Sequence, residues 1–107
     1  MRIQITARHC DIPDAVRRRA ETRIGKLVRY QPRLGSADIV FEEERHLRKA
    51  EGVLQVDGAS PVVARGEDQD FRGALDKMVD RLQRILREQR ARHTDHQAHT
   101  PPKLAAD

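Results

Sequence analysis

The chain has 107 residues, 21 of them Lys or Arg against 17 Asp or Glu, for a formal net charge of +4. That length allows one domain with a modest core and no second one. A single cysteine, Cys10, excludes a disulfide framework, and no apolar run approaches the roughly 20 residues that a membrane span needs. The N-terminus also lacks the apolar stretch of a signal peptide, so a reducing cytoplasm is the expected location.

Arg2 to Arg8 alternates strictly, Ile3, Ile5 and Ala7 against Gln4, Thr6 and Arg8, and predicts a half-buried strand. His9, Cys10 and Asp11 come directly after it. Neighbours on an extended chain point to opposite sides, so this trio reads as a structural loop rather than a nucleophile with its base. Asp11 to Asp14 supplies a helix start, with an Asp able to cap and Pro13 in the first turn.

The first helix is expected over Asp14 to Tyr30. Val16, Ala20, Ile24 and Leu27 form its apolar stripe, and Arg19, Arg23, Lys26 and Arg29 gather on the other half. Pro32 and Gly35 end it. Ala37 to Arg45 and Glu51 to Asp57 read as two strands joined by the polar stretch His46 to Ala50. Asp57 to Pro61 forms a turn, Val62 to Gly66 a fourth strand, and Asp68 or Asp70 can cap a second helix.

That second helix, Phe71 to Arg92, is the most regular element. Phe71, Leu75, Met78, Val79, Leu82, Ile85 and Leu86 recur at helical spacing, while Lys77, Arg81 and Arg84 fall on the far side, continued by Arg87, Arg90 and Arg92. Asp80 stands four residues before Arg84, the spacing of an intrahelical ion pair. From His93 the apolar period stops, and residues 93–107 read as a disordered tail. His93, His96 and His99 sit in that tail without the fixed geometry or cysteine partner that a zinc site needs, so no metal is expected.

The element order is β-α-β-β-β-α. A helical crossover after the first strand favours parallel pairing, and short links among the later strands favour an antiparallel meander. The expected fold class is α+β, a four-stranded sheet with two helices packed on one face, resembling double-stranded-RNA-binding domains, over residues 1–92. Acidic residues cluster at Glu42, Glu43 and Glu44 and at Glu67, Asp68 and Asp70, which makes the molecule bipolar.

Arginine dominates the basic helix faces, and its planar fork of donors suits bidentate grip on phosphate. Two such helices side by side predict one continuous basic surface for a polyanion. Aromatic residues number only Tyr30, Phe41 and Phe71, which speaks against stacking of unpaired bases and for contacts to phosphate, ribose and folded RNA shape. The glycines show no phosphate-loop or dinucleotide spacing, so no cofactor, small-molecule substrate or catalytic residue is expected.

Several stretches, Ile3 to Thr6, Lys26-Leu27 with Tyr30, and Val56-Asp57-Gly58, resemble a known family, and Val62 to Arg90 does so most specifically through Ala64, Gly66, Asp70, Ala74, Leu75, Asp76, Leu82 and Arg84. The family is that of the ribosome hibernation-promoting factors and ribosome-associated translation inhibitors, also called ribosomal subunit interface or sigma-54 modulation proteins, and the likeness is to its short type. The resemblance implies a non-enzymatic factor of starved or stationary-phase cells that binds the small ribosomal subunit and its rRNA in the decoding cleft, excludes messenger and transfer RNA, and inhibits translation reversibly. Arg23, Lys26, Arg29, Arg81, Arg84 and Arg90 match RNA-contacting positions; Lys77 and Arg87 join them from the helical spacing. A separate ribosome modulation factor is a further implied partner of the hibernation-promoting kind. Arg19, at a usually apolar position, Glu88, where relatives often carry Lys, and Arg72-Gly73 depart from the pattern. The residues themselves leave two alternatives: a general double-stranded RNA binder, and a protein-interaction, transcription-modulating module using the sheet face with Arg2, Gln4, Thr6 and Arg8.

Overall fold

Alternation of apolar and polar side chains shapes the first strand, β1 (Arg2–Arg8), as expected. The computed structural model describes the backbone of residues 1–106 and the side chains of residues 1–92. After β1 come α1 (Asp14–Gly25), a 3-10 turn (Lys26–Arg29), β2 (Leu34–Glu44), β3 (Leu47–Val56), β4 (Val62–Asp68) and α2 (Phe71–Ala106). The strands lie in the order β1-β2-β3-β4, with β1 parallel to β2 and the other two pairings antiparallel. Both helices cover one face, and the β-α-β-β-β-α order holds.

The buried face is continuous across the sheet. Ala37, Ile39 and Phe41 of β2, Ala50 and Leu54 of β3, and Val62 and Ala64 of β4 meet Ile24 and Leu27 from the α1 region and Leu75, Met78, Val79 and Leu82 from α2. Each large aliphatic or aromatic side chain fully withdrawn here contributes roughly 1.5–3 kcal/mol. Phe41 and Phe71 meet edge to face with centroids 5.8 Å apart, and the Arg48 guanidinium lies 5.6 Å from the Phe71 centroid. Gly52 and Gly66 let α2 approach: a Cβ on Gly52 would meet Met78 Sδ, and one on Gly66 would run into the Ala74 carbonyl and Met78 amide.

Several boundaries differ from the sequence expectation. The stretch His46 to Ala50 is not a link, because β3 starts at Leu47 and a two-residue turn, Arg45-His46, joins it to β2. Its polar side chains are paired across the hairpin, Arg48 with Glu43 at 3.4 Å and Lys49 with Glu44 at 2.9 Å, and Arg45 takes φ 57° to make the turn. β2 likewise starts early, at Leu34, with a register shift between Leu34 and Ser36.

The first helix gives way at Gly25 to the tighter 3-10 turn rather than reaching Tyr30 as α-helix. Pro13, not an Asp, stands at its N-cap, so no side chain caps it; the Pro13 carbonyl accepts from Val16 and Arg17 amides, and Asp14 supplies the first-turn negative charge. Asp70 is the residue that caps α2, its Oδ1 accepting from the Gly73 amide at 2.7 Å. The α2 backbone continues past Arg92, while the expected tail 93–107, with His93, His96 and His99, lies outside the residues described with their side chains.

Candidate nucleic-acid interface

α1 and α2 lie beside each other and run the same way along the sheet. Arg19 meets Asp76, Arg23 meets Asp76 and Asp80, and further along Arg90 donates to the Arg29 carbonyl at 3.1 Å. The basic half of α1 is therefore not all turned outward. Arg19 and Arg23 fill the seam between the helices because α2 presents two carboxylates one turn apart, at Asp76 and Asp80. Asp80 gives its carboxylate to Arg23 Nη2 at 2.8 Å, so the expected intrahelical partnership with Arg84 is replaced by one between helices.

Asp76 is the hub of this seam. Burial works to raise its pKa, but the two guanidiniums of Arg19 and Arg23 outweigh that and hold the carboxyl below the usual carboxylate range. Arg19 is pushed up in turn, first by its hydrogen bond to Asp76. The seam of the helix pair is thus neutralised, Arg23 included.

The rear half is different. Lys26, Arg29, Arg84 and Arg87 are exposed, and among the described residues none of them forms an ion pair. Arg81, Arg84 and Arg87 border a shallow open hollow on the outer surface of α2, beside Asp80 and Gln83. Lys26 and Arg29 follow directly on the C-terminal end of α1, where the helix dipole favours positive charge, whereas Arg84 and Arg87 lie along the middle of α2. Unpaired guanidiniums on a rigid helix retain all their donors for an incoming phosphate.

Lys77 and Arg81, both expected on the RNA-binding face, reach sideways over β4. Lys77 Nζ donates to the Glu67 carbonyl at 3.0 Å and lies 3.3 Å from Asp68, and Arg81 donates to the Arg65 carbonyl. The Asp68 carboxyl is held low by the Gln69 amide and by Lys77. Of the eight expected residues, then, Lys26, Arg29, Arg84 and Arg87 are the exposed cations whose side chains form neither an ion pair nor a hydrogen bond among the described residues, while Arg23, Lys77, Arg81 and Arg90 have partners within the protein. Arg17 and Arg18, exposed on α1 and outside the expected set, carry no ion pair among the described residues. The double Arg in the sequence was the available signal for them.

The opposite face of the sheet is polar and internally paired. Arg8 lies 3.8 Å from Glu42, Lys49 3.8 Å from Glu67, and Arg65 Nε 2.7 Å from Glu51. At the end of β1, Cys10 Sγ donates to the Phe41 carbonyl at 3.6 Å. Burial first, then Glu43, Asp11 and Glu42, push the Cys10 thiol up, the reverse of what an activated nucleophile needs. Among the described residues no group of three or more His, Cys, Asp or Glu side chains converges as a metal site, and no helix is long and apolar enough to cross a membrane.

Comparison with known proteins bears on the family and the fold. Residues 3–94 match the family described as Sigma 54 modulation protein / S30EA ribosomal protein. The chain is 35% identical over 86 residues to a ribosome hibernation promoting factor of Azotobacter vinelandii, covering 80% of this chain and 79% of that one. It is 30% identical over 95 residues to one of Salmonella typhimurium, covering 89% of this chain and 95% of that one. Among solved structures, the N-terminal domain of Thermus thermophilus Protein Y superposes with a TM-score of 0.73 at 30% identity, covering 82% of this chain and 98% of that one. A ribosomal subunit interface protein from Coxiella burnetii superposes with a TM-score of 0.74 over 85% of this chain and 99% of that one; at 24% identity it speaks for the fold alone.

Proposed function

Because the chain belongs to the Sigma 54 modulation protein / S30EA ribosomal protein family, we propose that it is a ribosome hibernation factor that silences translation reversibly under starvation or in stationary phase. It binds rRNA of the small ribosomal subunit in the decoding cleft and excludes messenger and transfer RNA. It works by occupancy and catalyses nothing. Its place of action is the cytoplasm, and a separate ribosome modulation factor is a candidate partner when ribosomes pair.

The observation that carries this reading is the set of exposed cations on the rear half of two parallel helices whose side chains have neither ion pair nor hydrogen bond among the described residues: Lys26, Arg29, Arg84 and Arg87. They take the first phosphates. Arg23, Lys77, Arg81 and Arg90 flank them and hold the platform rigid through their internal contacts. Scarce aromatic side chains fit recognition of folded, base-paired RNA by backbone and shape.

Sedimentation of the protein with purified small subunits through sucrose at low and high salt tests the proposal. Co-migration at low salt, lost by on the order of a thousandfold in affinity at moderately high ionic strength, is the expected result. A protein that stays at the top of the gradient at low salt overturns it. Equal affinity for a plain RNA duplex would instead make this a general double-stranded RNA binder.

A further inference from the structure

β4 is the last strand of the sheet, and among the described residues no strand lies beyond it. The β2-β3 hairpin fixes which of its backbone groups face outward. Glu44 and Leu47 close a two-residue turn and exchange hydrogen bonds, so hydrogen-bonded pairs recur at Glu42 with Lys49 and at Val40 with Glu51. Lys49 and Glu51 thus direct their amides and carbonyls to β2, while Arg48, Ala50 and Gly52 direct theirs to Asp68, Gly66 and Ala64 of β4. That leaves Val63, Arg65 and Glu67 with amide and carbonyl toward the open edge.

Two of those carbonyls are already occupied. Arg81 donates to the carbonyl of Arg65 and Lys77 to that of Glu67. Gly66, between them, has no side chain to hold α2 away, so both long side chains reach across the edge. An unpaired strand edge is a template for another strand, and cations placed along it are a known physical means of closing it.

We infer that Lys77 and Arg81 hold shut a strand-pairing edge whose fitting partner is β4 of a second copy of this chain. The charges of β4 argue for that occupant. In the antiparallel register that sets Arg65 opposite Glu67 of the second copy, two-fold symmetry repeats the pair with the roles exchanged, and both contacts join opposite charges. Gly66 then faces its own counterpart. Because α2 is seated over the line between Gly52 on β3 and Gly66 on β4, two α2 helices across such a seam would run about 10 Å apart, a normal packing distance. What stands between them is Lys77 and Arg81 from each copy, Lys77 held 3.3 Å from Asp68 of its own chain and Arg81 without a carboxylate partner among the described residues, and the donors of both fill the edge carbonyls. The edge is therefore complementary to itself and closed by these two side chains.

The test is sedimentation equilibrium of the full chain. The unsubstituted protein should be monomeric across the accessible concentration range. Lys77→Met with Arg81→Met keeps the aliphatic stems over Gly66 and removes the donors, and its weight-average mass should climb with concentration toward twice the monomer value. Adding Arg65→Glu should return that variant to monomer, and adding Glu67→Arg on top should bring the dimer back. A double variant that stays monomeric with an unchanged circular dichroism spectrum overturns the inference, as does a dimer indifferent to Arg65→Glu. Should the Met pair misfold, Lys77→Ala with Arg81→Ala answers the same question, since both sites are exposed helix positions and Ala is the strongest helix former.

Discussion

Arg19 sets its Nε 2.8 Å and its Nη2 3.1 Å from the two carboxylate oxygens of Asp76, a bidentate pair between helices 57 residues apart in sequence. The half-buried Arg19 guanidinium is accommodated because its charge is matched at that spot. Replacing Asp76 by Ala removes the acceptor for Arg19 and Arg23 together and should cost roughly 1 kcal/mol, discounted for partial exposure. In a domain of this size that lowers the melting temperature by about 4–8 °C. A double-mutant cycle with Arg19→Ala should show coupling; additivity of the two single effects would mean that the pair contributes nothing.

The same carboxylate ties stability to acid. Asp76 and Asp68 have folded pKa values below their unfolded ones, so their contribution is fully present above the ordinary carboxylate range, about pH 4, and disappears as the pH falls through the folded values. Melting temperature should accordingly drop on the acid side. Asp76→Asn should start lower at neutral pH and lose less on acidification, and parallel acid limbs for the two proteins would contradict the assignment.

Two glycines should respond in opposite directions to alanine. At Gly66 the new methyl meets backbone atoms of Ala74 and Met78, which cannot swing aside, so α2 must shift, at a cost of about 1–3 kcal/mol. At Gly25, with helical φ of −58° and nothing within 4 Å of the Cβ position, alanine should stabilise by about 0.5–1 kcal/mol. Urea denaturation of the two variants measures both, and a stable Gly66→Ala would show that β4 and α2 separate more easily than their packing indicates.

Charge reversal of the unpaired cations should uncouple binding from folding. Arg84→Glu with Arg87→Glu should leave the melting temperature nearly unchanged, because neither residue has an ion pair to lose among the described residues. Ribosome affinity should collapse. With neutral replacements at the same sites, the slope of log affinity against log salt should flatten by about 1.5, two phosphates' worth. An unaltered slope would remove these residues from the interface.

How far the sequence speaks is clear from particular residues. β1 was legible because every second residue is apolar, and α2 because its apolar positions keep one period from Phe71 to Leu86. The start of β3 was not: Arg48 and Lys49 look like loop residues until their cross-strand partners Glu43 and Glu44 are known, and register is a tertiary fact. Helical spacing put Arg23 and Arg87 alike on the polar side of their helices. It could not tell that Arg23 would face Asp76 and Asp80 while Arg87 faced solvent, because that depends on how two helices far apart in sequence come to lie together. Asp68 and Asp70 were equal candidates for the cap by spacing, and geometry decided it: Asp70 reaches the Gly73 amide, whereas Asp68 is held by Gln69 and Lys77.

The uncovered side of the sheet sets Arg2, Arg8, Lys49 and Arg65 against Asp38, Glu42, Glu44, Glu51 and Glu67, so its cations are fully offset by carboxylates. The helix side, with its rear arginines, does not cancel. Charge is therefore distributed along the normal to the sheet, and a polyanion exerts a torque on the molecule as well as a pull. Within a Debye length or so of an RNA surface, about 10 Å in ordinary salt, the protein should rotate to lead with its helices before any contact forms. Fewer encounters then arrive in the wrong orientation, so the rate of capture gains as well as the strength of the hold.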